Sequence, residues 1–324
     1  MPEGPEVRKH AVALAAILEK QNLLEVRSRM KDAKAWLLEN PDELIGRRVL
    51  RVHAHGKHLL VRLEGDYFFH SHLMMWGRWQ IFDSSPEESD RRERARLTSK
   101  KGCAVLFSAP VFQIGQGDPY ALVPLLSSLG PDILPYKGKF DSTEFLRRLH
   151  LPENRERAIG AALLDQQICA GIGNYLRVEI LFLCRIDPYK QIIELSEKEL
   201  KCLCKTIPAQ AKFAFETNGT TTLADRARME NDAALLYKGG GLWSAKHYVF
   251  RRTNLPCVVC GDKIRQLRQV TRIIQGEESE EEKTRILYFC PTCQNVKQEP
   301  KSRARKIAAL KIEHEAEIEE ELSS

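Results

Sequence analysis

The sequence predicts an α+β protein of several domains, because the pattern of apolar residues changes three times along the chain. Residues 3–20 have the spacing of an amphipathic helix, and residues 47–115 alternate in short runs typical of strands. The segment after Tyr136 becomes helical, and two closely spaced cysteine pairs follow near the C-terminal end. A chain of 324 residues is long enough to build more than one hydrophobic core.

The N-terminal part is predicted as a leading helix followed by strands. Val7, Ala11, Leu14 and Leu18 recur at helical spacing. The runs RRVLRVHAH and KHLLVRLEG flank Gly56 and predict a hairpin, and YFFHSH and GRWQIF predict two further strands. The run GCAVLFSAPVFQIG predicts another pair of strands.

The second part is predicted as helical and begins after the proline-rich segment Leu129–Tyr136. Asp141 marks one helix start, and Ser196 with Glu199 forms a capping box at another. Residues 155–183 suggest two helices interrupted by AGIG, and HYVFRR at 247–252 has the composition of a strand. We therefore expect four segments, which are 1–130 (β-rich), 131–245 (helical), 246–299 (cysteine module) and 300–324 (a charged tail).

The charge distribution favours a polyanionic partner. The net charge is only +6, but acidic residues concentrate in the runs 277–282 and 313–321, so the remainder is clearly basic, including RRERARLTSKK at 91–101. A solvated charged face is the alternative interpretation. No apolar run approaches the length of about 20 residues that spans a bilayer, and no signal peptide is evident. We expect no membrane partner and an intracellular location.

Four of the nine cysteines form two C-x-x-C pairs, Cys257 with Cys260 and Cys290 with Cys293. Two thiolate pairs suit tetrahedral Zn²⁺, and four protein ligands leave no open position, so we expect one structural zinc ion. The odd cysteine count and the paired spacing indicate a reducing compartment rather than a disulfide framework. The other cysteines have apolar neighbours and are predicted to be core thiols: Cys103, Cys169, Cys184, Cys202 and Cys204.

The N-terminal sequence Met1-Pro2-Glu3-Gly4-Pro5-Glu6 permits amine chemistry. If the initiator methionine is removed, Pro2 exposes a secondary amine with a pKa near the ~8 of an α-amino group, which can attack a sugar C1′ and form an iminium. Glu3 could move protons beside it. Ordinary helix initiation by proline and acidic residues is the alternative.

The stretch Leu163–Tyr175 contains two glycines that permit a tight turn before Asn174. Backbone N–H groups at the following helix start, with the Asn174 side chain, suit a DNA phosphate. The alternative is that Asn174 simply caps the helix.

In combination, MPEGPEV, HGKHL at 55–59, LLDQQICAGIGNYLRVEILF at 163–182 and the cysteine module ending in FCPTCQ resemble the Fpg/Nei family, that is, formamidopyrimidine-DNA glycosylase and endonuclease VIII. The resemblance covers about residues 2–295 in the same order. It implies an N-terminal β-sandwich, a helical domain with a helix-two-turn-helix motif, and a zinc finger, with damaged DNA held between them.

The resemblance also implies roles for single residues. The family nucleophile corresponds to Pro2, and the proton-transferring glutamate corresponds to Glu3. Glu6 corresponds to a further acidic position, and Lys57 to a lysine that holds a phosphate and assists elimination, with a solvated turn lysine as the alternative. Asn174 corresponds to a phosphate-binding asparagine. Arg285, five residues before the third cysteine, corresponds to an arginine that grips phosphates, with an ordinary surface arginine as the alternative.

A base that is flipped out of the duplex leaves a gap. The segment SHLMMWGRW supplies large apolar side chains, Met74, Met75 and Trp76, that could fill it. Core packing is the alternative for at least one of them, because successive residues of a strand face opposite sides.

Two sequence features bear on the substrate. The start is PEGPE, as in endonuclease VIII, and the stretch at 109–115 is APVFQIG instead of one with the Pro-Arg-Arg-Phe-Gly of formamidopyrimidine-DNA glycosylases. Both favour oxidised pyrimidines. We also expect damaged duplex DNA as the partner, with single-stranded DNA as a second form, and a monomeric enzyme. The alternatives are a purine-directed glycosylase, for which 219–245 is long enough to hold a base-capping loop, and a non-catalytic DNA-binding protein.

Overall fold

The computed structural model describes residues 2–87, 90–222, 225–236, 245–275 and 280–296. The helices are α1 Gly4–Leu18, α2 Lys31–Glu39, α3 Pro119–Leu122, α4 Pro124–Ser127, α5 Ser142–Leu149, α6 Ile159–Ala162, α7 Asn174–Leu183, α8 Glu197–Glu216 and α9 Arg226–Asn231. The strands are β1 Glu25–Ser28, β2 Val49–His55, β3 His58–Leu63, β4 Tyr67–His72, β5 Arg78–Phe82, β6 Glu93–Ser99, β7 Gly102–Phe107, β8 Val111–Gln116, β9 Arg265–Gln275 and β10 Glu280–Phe289.

The N-terminal part is a β-sandwich, as the resemblance implied. One antiparallel sheet has the order β1-β6-β7-β5 and the other has the order β2-β3-β4-β8. Alternate residues of β3, such as Leu59 and Val61, face the core between the sheets, and α1 packs into the same core through Val7 and Leu14. This packing holds the first residues of α1 in a fixed place.

The helical part has its own core, in which α7 is the central element. Leu176 and Ile180 on one side of α7 pack with α5 and α8. Val178 and Phe182 on another side pack with a third core formed with the cysteine module and the β9–β10 hairpin. One helix therefore links the helical domain to the hairpin.

Most predicted elements are confirmed, including α1, the β2–β3 hairpin, β4, β5, the Asp141 helix start and the capping box of α8. The two strands predicted in GCAVLFSAPVFQIG are present as β7 and β8, but they do not pair with each other. β7 pairs with β5 and β6, whereas β8 pairs with β4 in the other sheet. The chain crosses between the sheets at Ser108, which has a positive φ of 53°, and at Pro110, which has no N–H to donate to a ladder.

The predicted strand in HYVFRR is also wrong. Instead of entering a ladder, the backbone N–H groups of Tyr248, Val249 and Phe250 all donate to the carboxylate of Glu179, at 2.8, 2.9 and 2.9 Å. A buried anion therefore replaces a strand as the partner of this segment.

The basic run at 91–101 is not one continuous surface. It forms β6, in which the Arg96 guanidinium and the Glu93 carboxylate are both buried and paired at 2.8 Å. The sequence could not show that β6 lies inside its sheet, between β1 and β7, and that most of its side chains are buried.

Among the cysteines outside the C-x-x-C pairs, Cys103 and Cys169 are buried and free, as predicted. The prediction is wrong for Cys184 and Cys202, which form a disulfide with Cα atoms 5.7 Å apart. Both lie half-buried where α7 and α8 meet, so packing of these helices brings together residues 18 positions apart.

No helix in the described part of the chain is long and apolar enough to cross a membrane. The acidic stretch at 277–282 lies partly, and the tail at 300–324 wholly, outside the described residues, as does Met1. The boundaries 1–130, 131–245, 246–299 and 300–324 stay a prediction.

Candidate active site

Glu3 lies at the N-terminal end of α7, although it belongs to the segment that precedes α1. Its carboxylate accepts hydrogen bonds from the backbone N–H groups of Gly173 at 2.8 Å, Tyr175 at 2.8 Å and Leu176 at 3.2 Å. A Cβ atom at Gly173 would lie 2.3 Å from the Glu3 side chain, so only glycine fits there. The AGIG turn is thus shaped to receive this carboxylate.

This arrangement corrects the prediction that the helix start binds a phosphate through its backbone. The N–H groups of the α7 N-terminus are directed at Glu3, and Gly173 rather than Asn174 is the N-cap residue. The N-cap alternative for Asn174 is therefore wrong as well.

The protonation of Glu3 is balanced near neutrality. Burial raises its pKa, the positive charge of Lys57 lowers it, and the neighbouring Glu6 raises it again, with a result of about 7. The hydrogen bonds from the α7 backbone also favour the ionised form, but they do not outweigh burial. A carboxyl group with this pKa can both give and take a proton at physiological pH.

Glu6 connects α1 to the same region. One of its oxygens accepts from the Glu3 backbone N–H at 2.8 Å, which completes a capping box, and the other accepts from the Tyr175 hydroxyl at 3.0 Å. Burial raises the pKa of Glu6. Pro5 lies in the first turn of α1, so the alternative of ordinary helix initiation is confirmed for this proline. It does not apply to Pro2, which precedes the N-cap residue Glu3.

Pro2 lies at a cavity of about 430 Å³, within the roughly 300–1,000 Å³ typical of small-molecule sites. Three rings form one wall, with centroid separations of 5.5 Å between Tyr175 and His247 and 5.2 Å between His247 and Phe250. The lining residues are Pro2, Glu3, Glu6, Asn174, Tyr175, Gly219, Lys246, His247, Phe250 and Arg251. An apolar wall with a few polar groups suits a planar heterocycle.

Lys57 occupies the turn between β2 and β3. Its Nζ donates to the Ile172 carbonyl oxygen at 2.6 Å, so the alternative of a solvated turn lysine is wrong. Burial lowers its pKa, the charge of Glu3 raises it, and the charge of Arg285 lowers it. Gly56 allows this approach, since it has a φ of +55° and its Cβ would lie 2.8 Å from Ala170.

Asn174 and Arg285 lie on two different elements that meet at Arg177. The Asn174 Oδ1 accepts from Arg177 Nη2 at 2.7 Å, and the same nitrogen donates to the carbonyl oxygen of Ile286, the neighbour of Arg285, at 2.9 Å. The Arg285 side chain is exposed, and its charge lowers the pKa values of Lys57 and Arg177. The structure therefore brings Lys57 close to Glu3, and Arg285 close to Lys57 and Arg177.

The three residues predicted to fill a gap in DNA lie in the turn between β4 and β5. Met74, Met75 and Trp76 have exposed fractions of 50%, 60% and 77%, so the alternative of core packing is wrong for all three. The strand-alternation argument does not apply to them, because they form a turn that is closed by a Gly77 N–H bond to the Leu73 carbonyl at 2.8 Å.

The four cysteines of the paired motifs cluster as predicted, with all sulfur atoms within 4.8 Å of one another. Cys257 Sγ lies 3.8 Å from Cys293 Sγ, and Cys260 Sγ lies 3.4 Å from Cys290 Sγ. These separations are near the ~3.8 Å edge of a tetrahedron with metal–sulfur bonds of about 2.3 Å. The residues fit a tetrahedral metal ion.

Sequence reasoning missed several residues of this region, notably Arg177, Glu179 and Tyr175. Two signals could have found the first two. Charged residues inside the apolar run of α7 indicate buried partners, and the i,i+3 spacing of Asn174 and Arg177 puts them on one helix face. No comparable signal exists for Tyr175, since an aromatic residue in an apolar helix is ordinary.

Comparisons with known proteins define the class to which this fold and site belong. The chain matches the model of the formamidopyrimidine-DNA glycosylase N-terminal domain over residues 1–110 and that of the H2TH domain of the same enzymes over residues 129–225. Endonuclease 8 of Klebsiella pneumoniae is 30% identical over 296 residues, which are 91% of this chain and 100% of that protein. Endonuclease 8 of Pectobacterium atrosepticum is 29% identical with the same coverage.

Solved structures support the same fold. Lactococcus lactis Fpg in complex with abasic-site DNA has a TM-score of 0.68 at 20% identity, covering 90% of this chain and 99% of that one. MutM bound to carbocyclic 8-oxo-G DNA gives the same TM-score and coverage at 22% identity. The chain therefore belongs to the Fpg/Nei family, whose members are DNA glycosylases and AP lyases.

Proposed function

We propose that this protein excises oxidised bases from DNA through its N-terminal proline and then cuts the strand by β,δ-elimination. The observation that carries the proposal is the position of Glu3. A carboxyl group with a pKa of about 7 lies next to Pro2, at the cavity that both residues line. After removal of Met1, a secondary amine and a proton donor would therefore act on the same sugar.

The first step joins the Pro2 nitrogen to C1′ of the damaged nucleoside. The electron pair of the glycosidic bond leaves with the base, which takes up a proton. The proton that the amine loses goes to the departing base, and Glu3, in its protonated form, donates to the ring oxygen O4′ as the sugar opens to an iminium. The iminium makes the C2′ hydrogen acidic. The Glu3 carboxylate accepts this proton as the 3′ phosphate leaves, and loss of the C4′ proton from the conjugated product then expels the 5′ phosphate.

Lys57, Asn174 and Arg285 are proposed to hold the phosphates on either side of the lesion, and Lys57 also assists the elimination. A short contact to a backbone carbonyl keeps the Lys57 ammonium close to Glu3. The exposed Met74, Met75 and Trp76 would fill the gap left by the flipped base.

A structural Zn²⁺ is proposed for the cysteine cluster. Four thiolates would complete its coordination and leave no position for water, so the ion would fold the module and take no part in the reaction. We also propose that the protein acts as a monomer inside the cell on duplex DNA, with single-stranded DNA as a second substrate form.

Oxidised pyrimidines are proposed as the preferred lesions. The endonuclease 8 relatives and the PEGPE start support this choice. A saturated pyrimidine stacks poorly and costs little to extrude, and the Tyr175–His247–Phe250 wall offers an apolar surface to a single ring. Residues 225–236 of the suggested capping loop contribute Met229 and Leu235 to the third core, and the remainder of 219–245 is only partly described.

Borohydride trapping tests the proposed nucleophile, because reduction of the iminium fixes the protein to abasic-site DNA. The mature protein should become trapped, a form with Met1 retained should not, and Pro2→Gly should retain part of the trapping. Pro5→Ala is the matched control, since it removes a nearby proline without changing the terminal amine. Equal trapping with Met1 retained would refute the assignment of Pro2.

A panel of otherwise identical duplexes tests the lesion. Thymine glycol and dihydrouracil should be released faster than 8-oxoguanine. Fastest release of 8-oxoguanine opposite cytosine would favour the purine-directed alternative. Binding without any base release or trapping would favour the non-catalytic alternative.

A further inference from the structure

A fully buried arginine joins the helical domain to both strands of the β9–β10 hairpin. Arg177 Nη1 donates to the Gly160 carbonyl oxygen and to Gln269 Oε1, both at 3.0 Å. Arg177 Nη2 donates to Asn174 Oδ1 at 2.7 Å and to the Ile286 carbonyl oxygen at 2.9 Å. One planar guanidinium thus connects α6, α7, β9 and β10.

Stability alone does not account for this arginine. Its side chain has an exposed fraction of 0%, and all four of its described acceptors are neutral oxygens. Burial lowers its pKa to about 9, which reflects the cost of holding a cation in this place. No carboxylate in the described part of the chain accepts from this guanidinium, so no contacting opposite charge offsets its burial, and its value lies in the four groups that it holds in place.

At Asn174 the arginine fixes the orientation of an amide. A guanidinium can only donate hydrogen bonds, so the amide atom that faces it must be the oxygen. The amide nitrogen Nδ2 is then directed away from Arg177 and keeps its two hydrogens for an acceptor. Because Asn174 lines the cavity beside Pro2 and Glu3, that acceptor can be a phosphate oxygen of a DNA strand bound there.

At the hairpin the arginine holds the residues that surround Arg285. Ile286 is its neighbour in β10, and Gln269 is its direct partner across the ladder. Gln269 is also fixed on its other side, since its Nε2 donates to the Pro188 carbonyl oxygen at 2.9 Å. The backbone of Arg285 is therefore tied to the helix that carries Asn174.

We propose that Arg177 is a positioning residue that sets the Asn174 amide and the Arg285 guanidinium at a fixed separation as one phosphate clamp. The inference rests on the proposed function, in which these two residues bind the DNA backbone. Arg177 itself does not touch DNA, so its effect on binding passes through its two partners.

A double-mutant cycle on the full-length protein tests this role. The probe is a duplex with a tetrahydrofuran site, an abasic analogue that cannot react, and the readout is the equilibrium dissociation constant. Arg177→Lys keeps the charge, but a single ammonium cannot reach four acceptors, so affinity should fall roughly ten-fold. In the Asn174→Ala background the same change should cost about three-fold, because only Arg285 remains to be positioned, and in the Asn174→Ala/Arg285→Ala background it should cost less than about two-fold.

Arg96→Lys is the matched control. Arg96 is also buried and also uses several nitrogens, on Glu93, Ser85 and the Pro86 carbonyl oxygen, but it lies in the β-sandwich. It should disturb the local fold without changing the affinity. If Arg177→Lys does not fold, Gln269→Leu removes one of the arginine's anchors and should weaken binding about three-fold, and this loss should disappear when Asn174 and Arg285 are both replaced by alanine.

Equal losses for Arg177→Lys in the wild-type and the doubly substituted backgrounds would overturn the proposal, as would an equal loss for Arg96→Lys or unchanged affinity in Asn174→Ala. Failure of the proposed function has a different signature. In that case the wild-type protein binds the tetrahydrofuran duplex but is not trapped by borohydride on abasic-site DNA, while the cycle still reports on the clamp.

Discussion

The chemistry of Glu3 depends on a conflict between burial and hydrogen bonding at one residue. Three backbone N–H groups at the start of α7 stabilise its carboxylate, and Lys57 adds a positive charge. Complete burial still raises the pKa to about 7. Removal of any of these contacts would shift the proton balance, so the AGIG turn is part of the site although it supplies no reacting side chain.

This pKa predicts how stability varies with pH. The native protein keeps a proton on Glu3 that the unfolded chain releases at its ordinary pKa of 4.5. The stabilisation from that proton is complete below pH 4.5 and is lost as the pH rises through about 7. Glu3→Gln has no such proton, so the free energy of unfolding of the wild type, relative to the variant, should fall between pH 5 and pH 8 by up to about 3 kcal/mol.

Urea unfolding of both proteins at several pH values measures this difference. Parallel pH dependence of the two proteins would show that Glu3 has an ordinary pKa. The same variant should lose base release, because its amide cannot donate the proton that opens the sugar.

For single residues, the sequence pointed to the candidate site residues but not to their hydrogen-bond partners. Pro2, Glu3, Glu6 and Lys57 were found from motifs that resemble a family. Hydrogen bonds that affect the protonation of these residues join positions about 170 apart, as between Glu3 and Gly173. Local sequence patterns contain no information on such contacts. This is also why the helix start was assigned to a phosphate when Glu3 already occupies it.

Among the secondary structure elements, those with local signals were predicted and those set by a distant partner were not. Ser196 and Glu199 cap α8 within four residues, and Gly56 closes the β2–β3 hairpin. The segment 247–252 has the composition of a strand, but Glu179 of α7 captures its backbone. Glu179, about 70 positions away in sequence, therefore determines the conformation of this segment.

Glu179 should therefore be essential for the shape of the cavity. Its carboxylate accepts three backbone N–H groups and the Thr221 hydroxyl at 2.6 Å. Glu179→Gln replaces one acceptor oxygen by a donor that faces other donors, so we expect a loss of about 3 kcal/mol or more in the free energy of unfolding. DNA affinity should fall too, because His247 and Arg251 flank the released segment.

Glu19→Gln is the control for this change. Within the described ranges Glu19 accepts one side-chain hydrogen bond, from the Val52 N–H at 2.7 Å, which an amide oxygen can also accept. We expect a change within about 1 kcal/mol in urea unfolding. Similar losses for the two variants would contradict the role assigned to Glu179.

The hairpin offers a second test among the secondary structure elements, because arginines in two adjacent cross-strand pairs lie on its opposite faces. Arg285 lies opposite Gln269 on the face that meets α7, whereas Arg268 lies opposite Ile286 on the other face. Arg285→Ala should reduce the slope of log affinity against log salt by about one, and Arg268→Ala should leave it unchanged. Equal slopes in both variants, measured by salt titration of duplex binding, would rule out a phosphate contact by Arg285.

In the described part of the chain, the core of the helical domain and the third core meet at α7, whereas the sandwich core contains no residue of that helix. The sequence predicted the order of the β-rich, helical and cysteine-containing segments, because each has its own composition. It could not predict how they pack, since that depends on buried polar links such as the Gln294 Nε2 bond to the Ile186 carbonyl oxygen at 2.9 Å. Such links fix the cysteine module, which follows β10, to the helical domain.

Removal of the metal should consequently abolish DNA binding without unfolding the β-sandwich. Cys290→Ser breaks the thiolate cluster next to Phe289 and Tyr288, which belong to the third core together with Val178 of α7. Loss of the metal should loosen this core, release the hairpin and displace Arg285, whereas the sandwich core shares no residue with it. We expect zinc content to fall from one ion per chain to none, and affinity for a tetrahydrofuran duplex to fall at least about ten-fold.

Cys204→Ser, which changes a free cysteine outside the cluster, should keep both zinc and affinity. A zinc-free Cys290→Ser protein that binds as tightly as the wild type would show that the module has no part in holding DNA.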